Sequence, residues 1–265
     1  MEVGERVAHG REAEIFLLPD GRLLRLVRPG IAHAEEAVRM EAAALAAAAQ
    51  AGAPVPAVYE QVTHEGRPGL VIERLSGEDL LTQLGRRPWT VRSVARETGR
   101  VHAELHRVAA PAELPSAHDL IASRLERSDA LPEGLRDEAL RLLGELPAGD
   151  RLCHGDFHPG NVLADETGPK VIDWHNAARG EPTADVARSW VVLEVSPLPP
   201  GASAFDRRLA AMGRGLLLRG YIRAYSRAGT IAGDRLPQWV RVHAIQRLTQ
   251  EIEGEREPLL RRLRP

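Results

Sequence analysis

The first part of the chain shows the short apolar segments of β-strands, interrupted by one long helical pattern. Pro19-Asp20-Gly21 separates two apolar segments, which predicts a β-hairpin. A stretch rich in Ala and Glu has no internal Gly or Pro and stops at Gly52, which predicts a helix. The predicted strands are Glu14–Leu18, Arg22–Val27, Val55–Thr63 and Pro68–Arg74, and the predicted helix is Ala34–Ala51.

Helical patterns dominate the rest of the chain. The character changes near Ser76-Gly77, which predicts a β-rich lobe over residues 1–76 and a larger helical lobe over residues 77–265. Clefts between two such units are common ligand sites. The predicted helices are Thr90–Val108, Glu133–Leu146, Thr183–Val195, Ala204–Ala228 and Pro237–Leu263, with a loop at Pro197–Gly201. Short strand-like segments are Arg151–Cys153, Asn161–Asp165 and Lys170–Asp173.

The composition is that of an ordinary soluble protein, with 265 residues, 43% of them hydrophobic and 27% charged, and a formal net charge of -2. This balance argues against nucleic-acid binding, which usually needs a basic surplus. The apolar runs are too short to span a bilayer, and the N-terminus has no signal-peptide pattern. With Cys153 as the only cysteine, we expect a cytoplasmic protein without disulfides. Lys170 is the only lysine, so chemistry that commonly uses lysine must use arginine here.

The segment Leu152–Trp174, LCHGDFHPGNVLADETGPKVIDW, concentrates groups suited to phosphoryl transfer. Asp156 and Asn161 are expected on a loop, and Asp173 at the end of the strand that returns from a turn. Phosphoryl transfer needs a carboxylate that accepts the proton of the acceptor hydroxyl, and oxygen ligands that hold Mg²⁺ against the phosphates. The spacing Asp-x4-Asn followed by a later strand-ending Asp is that of protein kinases. A lone Asp or Asn is commonly a turn residue, so the ordered set carries the prediction.

This segment resembles the signature of the aminoglycoside phosphotransferase and choline kinase-like family, and the resemblance extends over about residues 10–190. It implies an α+β, bilobal protein-kinase-like fold with a five-stranded antiparallel N-terminal sheet and a mainly helical C-terminal lobe. It also implies transfer of the γ-phosphoryl group of ATP or GTP, with Mg²⁺, to a hydroxyl of a small molecule. By this resemblance Asp156 is the catalytic base, Asn161 and Asp173 are Mg²⁺ ligands, and His154 supports the loop.

The same resemblance assigns phosphate binding to the first lobe. Arg25 stands on the strand where family members carry a basic residue, usually lysine, and Glu41 on the helix is its expected partner. Arginine can bind phosphate through its planar fork, and Arg28 is the alternative residue. Gly10, in the segment His9–Glu14, lies where a loop covering the phosphates is expected, with backbone N–H groups facing phosphate oxygens.

Leu70–Gly77 resembles the hinge between the lobes of such kinases. Backbone groups of Glu73 and Leu75 are then expected to hydrogen-bond the edge of a purine. Because backbone groups would recognise the purine, the side chains do not distinguish ATP from GTP.

Other polar residues have both a structural and a functional interpretation. Asp185, at a helix N-terminus, is expected to be structural. His102 and His106, one helical turn apart, are expected to pack behind the catalytic loop rather than bind a metal. The candidates for contacting the acceptor are His158, His175 and Glu194.

The end of the chain carries an acidic run that could either bind a cationic acceptor or form a solvated helix face. Its members are Glu251, Glu253, Glu255 and Glu257. Asp206 has the same two interpretations. The tryptophans Trp89, Trp190 and Trp239 are expected in the core.

Three alternatives to a small-molecule kinase remain at this point. A metallohydrolase would leave Asn161 and the whole first lobe unexplained, although imidazole and carboxylate ligands suit transition metals. A non-catalytic, pseudokinase-like nucleotide-binding protein would not need the complete set of site residues. A protein kinase would need an activation segment, which the sequence after Asp173 lacks. The ligands of the metallohydrolase alternative would be His154, Asp156, His158, Asp173 and His175.

The expected acceptor is an antibiotic or related natural product that carries amino and hydroxyl groups, such as an aminoglycoside, which would make the protein a resistance enzyme. A sugar, an amino alcohol or another small metabolite is the alternative. We expect a monomer or homodimer.

Overall fold

The computed structural model describes residues 2–10, 12–166, 168–196 and 204–264, and the chain has an α+β, bilobal kinase-like fold. The strands of the N-terminal lobe are β1 (Arg6–His9), β2 (Ala13–Leu17), β3 (Leu23–Val27), β4 (Val58–His64) and β5 (Arg67–Ile72). They form one antiparallel sheet in the order β1-β2-β3-β5-β4. The five-stranded sheet agrees with the expectation from the sequence.

Two tight turns set the strand register of this sheet. The β2–β3 turn contains Gly21 with a φ of 86°, and Leu17 then pairs with Leu23. In the β4–β5 turn, Glu65 and Gly66 have φ values of 50° and 74°. Positive φ at both central residues is the geometry of two-residue hairpins, because it matches the twist of the flanking strands.

Helix α1 (Ala34–Gln50) packs its apolar face against the sheet. Val38, Ala42, Leu45 and Ala48 are spaced three or four residues apart and are all buried. This spacing places them on one side of a helix, and burial of that side stabilises the lobe. The helix packs against strands β5 and β4, and its Glu41 reaches Arg25 of β3.

The C-terminal lobe is mainly helical. Its helices are α2 (Leu80–Arg86), α3 (Val91–Leu105), α4 (Ala117–Glu126), α5 (Leu135–Glu145), α6 (Pro182–Val195), α7 (Ala204–Ala228), α8 (Leu236–Leu248) and α9 (Arg256–Leu263). Its strands are β6 (Glu78–Asp79), β7 (Arg151–Cys153), β8 (Val162–Asp165), β9 (Gly168–Val171) and β10 (Ala178–Gly180). They form the small sheets β6-β8-β9 and β10-β7.

Both lobes contribute to one hydrophobic cluster. It includes Leu45 and Leu70 of the first lobe together with Leu105 and Phe157 of the second. A continuous core of this kind joins the two lobes behind the cleft, so that residues on the two sides are held at a defined separation.

The predicted single helix Pro237–Leu263 is wrong, because the chain turns between α8 and α9. Glu251 has a φ of 48° and Gly254 a φ of 81°. These left-handed values cannot be part of an α-helix, and glycine adopts them without steric cost.

Several short elements are not predicted from the sequence: β1, β6, α2, α4 and β10. Helix α2 spans only seven residues and is preceded by its N-cap residue Asp79, whose carboxylate accepts hydrogen bonds from the N–H groups of Leu81 and Thr82. Such a cap stabilises a helix that is too short to show a clear apolar period. Two other expectations are also wrong. Trp89 is 77% exposed and does not belong to the core, and strand β9 ends at Val171, short of Asp173.

Some expectations stay untested. The loop predicted at Pro197–Gly201 and the side chain of Asp206 lie outside the described residues, and the division at residue 76 stays a prediction. Within the described ranges, no helix has the length and apolarity needed to cross a membrane.

The pairing of α3 with α7 depends on Gly99. A Cβ atom at this position would lie 2.8 Å from both Ala224 Cβ and Tyr225 N. We predict that Gly99→Ala lowers the free energy of unfolding by about 1–3 kcal/mol, because overpacked contacts force backbone shifts. Urea denaturation measures this change.

Gly213→Ala is the matched control, because a Cβ there would meet nothing within 4 Å. That variant is expected to be neutral or more stable by up to about 1 kcal/mol, from helix propensity. Equal effects of the two substitutions would show that α3 and α7 are not in close contact at Gly99.

Candidate active site

The segment after β7 forms a loop that the β8–β9 hairpin closes. Asn161 ends a short 3-10 turn, Pro159–Asn161, and leads directly into β8. The backbone N–H of Ile172, just beyond β9, donates to the carbonyl of Asn161 at 3.0 Å. The hairpin therefore returns the chain to the loop, so that Asp173 follows a residue bonded to Asn161.

The ring of His154 connects the two ends of this unit. Its Nδ1 accepts a hydrogen bond from the N–H of Asp156 at 3.3 Å, and its Nε2 donates to the carbonyl of Ile172 at 2.9 Å. The side chain is fully buried, and burial lowers the pKa of His154, which keeps the ring neutral. A neutral ring with one donor and one acceptor nitrogen satisfies both bonds.

Asn161 is held with its amide nitrogen used internally. Its Nδ2 donates to the carbonyl of Asp156 at 2.9 Å, and the residue is 8% exposed. With the nitrogen fixed in this way, Oδ1 is the atom that can bind a cation.

Asp173 has a left-handed backbone, with a φ of 67°. Such a conformation is strained for a residue other than glycine and is often found at functional sites. Its Oδ1 accepts a hydrogen bond from His175 Nδ1 at 2.6 Å. Burial acts to raise the pKa of Asp173, but the hydrogen bond and charge of His175, together with the charges of His154 and Arg25, outweigh it and lower the pKa to about 2. The carboxylate is therefore charged at neutral pH and suited, with the Asn161 oxygen, to hold Mg²⁺.

Arg188 of α6 lies against Asp156, and sequence reasoning missed it. Its Nη2 is 3.4 Å from Asp156 Oδ1, its Nε donates to the carbonyl of Gly155, and its Nη1 is 3.3 Å from Gln246 Oε1. Burial lowers the pKa of Arg188 to about 10, so the guanidinium stays charged at neutral pH. Its position three residues after Asp185, on the same helix face, is the signal that could have identified it.

The carboxylate of Asp185 bonds to the backbone of the loop at two positions. One carboxylate oxygen accepts the N–H of His154 at 2.6 Å, and the other accepts the N–H of Gly155 at 3.0 Å. The Nε2 atoms of His102 and His106 lie 3.1 and 3.3 Å from Asp185 Oδ2. The three side chains therefore bond to one another and to the backbone of the loop.

Two tyrosines of α7 complete this buried network. The hydroxyl of Tyr221 is 2.8 Å from His102 Nδ1, and that of Tyr225 is 2.6 Å from His106 Nδ1. Burial acts to raise the pKa of Asp185, but the hydrogen bonds from His102 and His106 hold it well below its ordinary value. Each imidazole thus uses both nitrogens within the protein.

Arg25 and Glu41 form the expected pair in the first lobe. Arg25 Nη1 is 2.9 Å from Glu41 Oε2, and the two side chains are only 10% and 5% exposed. Burial raises the pKa of Glu41, although the charge of Arg25 opposes the shift. The alternative residue, Arg28, is exposed and its Nη1 lies 3.4 Å from the carbonyl of Gly10.

Glu73, in the predicted hinge segment after β5, pairs with Lys170, the only lysine of the chain. Lys170 Nζ is 2.7 Å from both carboxylate oxygens of Glu73, and Glu73 Oε2 also accepts the N–H of Ala57 at 3.0 Å. These bonds fix the backbone at the end of β5, next to Leu75.

One cavity of about 1670 Å³ lies between the lobes and brings most of the predicted site residues together. The predicted residues along its wall are Gly10, Arg25, Glu41, Glu73, Leu75, Asp156, Asn161, Asp173 and His175. The cavity thus joins the predicted phosphate, purine and metal positions in one space.

Other predicted residues lie elsewhere. His158 does not line the cavity. Its Nδ1 accepts the N–H of Gly160 at 3.0 Å. Glu194 is also outside the cavity wall and pairs with Arg262 at 2.6 Å and Trp190 at 2.9 Å. The structure therefore does not place these two residues where an acceptor would be contacted.

The ligand set of a metallohydrolase is not assembled. Over the described ranges, the one group of three or more His, Cys or carboxylate side chains with ligand atoms within 4.8 Å of one another is His102, His106 and Asp185. Hydrogen bonds to two tyrosines already occupy the outer nitrogens of these histidines. The five residues named for that alternative do not converge on one point.

The chain matches the model of the phosphotransferase enzyme family over residues 3–232. Because this match covers most of the sequence, the protein belongs to that family. Its membership and its site together define a small-molecule phosphotransferase with an alcohol group as acceptor. No curated protein sequence matches the chain.

Solved structures share the fold at low sequence identity. An amicoumacin kinase in complex with AMP-PNP, Ca²⁺ and Ami is 16% identical, with a TM-score of 0.67 over 98% of this chain and 86% of that chain. An aminoglycoside phosphotransferase from Streptomyces rimosus, in complex with ADP and streptomycin, is 19% identical, with a TM-score of 0.58 over 90% of each chain. A choline kinase from Cryptosporidium parvum is 14% identical, with a TM-score of 0.58 over 99% of this chain and 87% of that chain. At these identities the likeness shows the fold alone.

The buried network around His102 generates a prediction about acid stability. Burial and the neighbouring His106 lower the pKa of His102 from 6.5 to about 3, against the opposing effect of Asp185. A histidine held neutral in the folded state stabilises the protein above pH 6.5, and this contribution is lost as the pH falls from 6.5 towards 3. We predict that His102→Gln is less stable than the wild type at pH 7.5. As the pH falls below 6.5, the free energy of unfolding of the variant should fall less steeply than that of the wild type, and the two slopes should differ by about 1.4 kcal/mol per pH unit.

Urea denaturation at several values between pH 7.5 and 4.5 measures both slopes. His33→Gln is the control, because His33 is exposed and makes no side-chain capping hydrogen bond. Parallel loss of stability in the wild type and the His102 variant would mean that His102 is not held neutral.

Proposed function

We propose that this protein transfers the γ-phosphoryl group of ATP or GTP to a hydroxyl of a small molecule, with Mg²⁺ as cofactor. The observation that supports the proposal most directly is that Asp156, Asn161 and Asp173 line the same cavity as the Arg25–Glu41 pair. Phosphoryl transfer depends on positioning and on neutralisation of phosphate charge, and these residues supply both kinds of group.

In this proposal Asp156 orients the acceptor hydroxyl and accepts its proton. The acceptor oxygen forms a bond to the γ-phosphorus, and the bond from that phosphorus to the bridging oxygen breaks, which releases the nucleoside diphosphate. Arg188 fixes the direction of the Asp156 carboxylate through the contact at 3.4 Å. Positioning of this kind is a large part of the rate enhancement in enzymes.

Asn161 Oδ1 and the Asp173 carboxylate would hold Mg²⁺, which neutralises phosphate charge when bound. The fixed amide nitrogen of Asn161 and the charged state of Asp173 support this assignment. Arg25 would bind phosphate oxygens, since its partner Glu41 holds the guanidinium in place. The turn at Gly10, closed by a hydrogen bond to the carbonyl of Ala13 at 2.7 Å, would cover the phosphates.

The purine would lie against the hinge, where Glu73 and Leu75 line the cavity. Backbone recognition there would accept adenine or guanine. Nucleotide binding is supported by the solved complexes of the amicoumacin kinase with AMP-PNP, of the Streptomyces rimosus enzyme with ADP, and of a further structural relative with GDP and kanamycin.

The acceptor is proposed to be a hydroxylated natural product or metabolite. Structural relatives bound to streptomycin and kanamycin support an antibiotic, which would make this a resistance enzyme, and the choline kinase supports an amino alcohol. A sugar is the remaining candidate. An acceptor panel with ATP or GTP and Mg²⁺, analysed by mass spectrometry for the gain of one phosphoryl group, distinguishes them.

Asp156→Asn tests the proposed base. We expect kcat to fall by about 10²–10⁴-fold, the usual contribution of general base catalysis, while nucleotide affinity is retained. Asp173→Asn should instead abolish the strengthening of nucleotide binding by Mg²⁺. Acceptor phosphorylation, nucleotide hydrolysis and calorimetric titration provide the readouts.

Asp137→Asn is the control, since Asp137 is an exposed carboxylate on α5 outside the cavity. Full activity of the Asp156 variant would refute the assigned base. Nucleotide binding by the wild type without transfer to any acceptor or to water would instead favour a non-catalytic nucleotide-binding protein.

A further inference from the structure

The cavity extends from Asp156 along a wall of the C-terminal lobe that is rich in arginine. Residues of α4, α6 and α8 and of the turns that follow α4 and α8 contribute to this wall. Its arginines are Arg124, Arg127, Arg188 and Arg247. Two of these four arginines contact carboxylates of the protein, and the other two do not, within the described part of the chain.

Arg188 and Arg247 are compensated within the protein. Arg188 lies 3.4 Å from Asp156 Oδ1, as described above. Arg247 makes two bonds to Glu255, Nε to Oε2 at 2.6 Å and Nη2 to Oε1 at 2.9 Å, and Glu255 is 2% exposed. Planar two-bond pairing of this kind is strong and leaves little charge for a ligand.

Arg124 and Arg127 are not compensated in the same way. Arg124 Nη2 donates to the neutral amide oxygen of Asn176 at 2.9 Å, and Arg127 donates to the carbonyl and hydroxyl oxygens of Ser123. Across the part of the chain that the structure describes, neither guanidinium has a carboxylate oxygen within 4.0 Å. The two arginines are three residues apart on a helical segment and both line the cavity.

Arg124 is the more informative of the two, because it is half-buried, whereas Arg127 is exposed. Arg124 and Asp156 line the same cavity. Burial lowers the pKa of Arg124, while the charges of Glu12 and Asp156 oppose the shift. A guanidinium that is partly removed from water and has no carboxylate within 4.0 Å among the described residues is costly to the fold, and a bound anion would offset that cost.

The carboxylates available for a cationic acceptor are few. Of the acidic run at the end of the chain, Glu255 is buried against Arg247, and Glu253 and Glu257 do not line the cavity. Glu12, Asp129 and Glu251 line the cavity but are exposed to solvent. Exposed carboxylates are worth less to a ligand than a half-buried arginine such as Arg124.

We propose that the acceptor carries an anionic group, a carboxylate or a phosphate, and that Arg124 and Arg127 bind it beside the hydroxyl that Asp156 activates. This inference rests on the proposed phosphotransferase function and specifies its acceptor class. Arginine suits both anions, because its planar donors match two oxygens of either group. A polycationic aminoglycoside is then a poorer acceptor than an acid of similar size.

Four probes on one six-carbon frame test the inference: gluconate, glucose 6-phosphate, glucose and glucosamine. Calorimetric titration into the protein saturated with ADP and Mg²⁺ gives each Kd. We expect gluconate or glucose 6-phosphate to bind about tenfold or more tightly than glucose, and glucosamine to bind most weakly, since charge-assisted hydrogen bonds are the stronger kind. The first two probes also distinguish a carboxylate from a phosphate ester.

Arg124→Gln and Arg127→Gln should each weaken the preferred anion about tenfold without changing the Kd of ADP with Mg²⁺. The second variant keeps the test valid if loss of the Asn176 contact disturbs folding. Arg141→Gln is the matched control, because Arg141 is an exposed arginine on α5 outside the cavity. The separate ADP titration shows whether a failure concerns this site or the nucleotide site.

Three results would overturn the inference. One is no measurable binding of either anion at millimolar concentration, and another is binding of glucosamine as tight as that of the anions. The third is a change in ADP affinity in the arginine variants that matches any change in anion affinity, which would assign Arg124 and Arg127 to the nucleotide phosphates.

Discussion

The buried carboxylate of Asp185 is the interaction on which the active-site loop depends. It accepts the backbone N–H groups of His154 and Gly155 and is held by the imidazoles of His102 and His106. A carboxylate that is fully desolvated is stable only when such donors surround it. If the loop moved away from α6, this buried charge would lose two of its donors and keep only the two imidazoles. His154, fixed at its backbone, then joins the backbone of Asp156 to the residue before Asp173.

The arginines of the cleft differ in whether they have a carboxylate partner. Arg25 pairs with Glu41, Arg188 contacts Asp156 and Arg247 pairs with Glu255. Arg124, which is half-buried, instead donates to a neutral amide oxygen. This difference is the basis for the proposal that Arg124 and Arg127 bind an anionic group of the acceptor, whereas Arg25, held by Glu41, is proposed to bind the nucleotide phosphates.

The sequence allows the catalytic loop to be predicted because its groups are close together along the chain. Asp156, Asn161 and Asp173 belong to one loop and hairpin, so their order already implies their proximity. Arg188 and Arg124 come from separate helices. The spacing of Arg188 from Asp185 places these two residues on one face of α6, but no local pattern shows that Arg124 lines the same cavity. The partner of a charged side chain is equally difficult to predict from the local sequence. The acidic run near the end of the chain reads as a continuous helix face, whereas the structure breaks the helix there and buries one of its carboxylates against an arginine.

Hydrogen exchange of the loop in an Asp185→Asn variant tests the central claim most directly. The account predicts that the amides of His154 and Gly155 lose protection, because their acceptor is weakened, while the amides of α5 keep theirs. Binding of nucleotide with Mg²⁺ should weaken in the same variant. Unchanged protection of both loop amides, together with unchanged Mg²⁺-dependent nucleotide binding, would contradict the account.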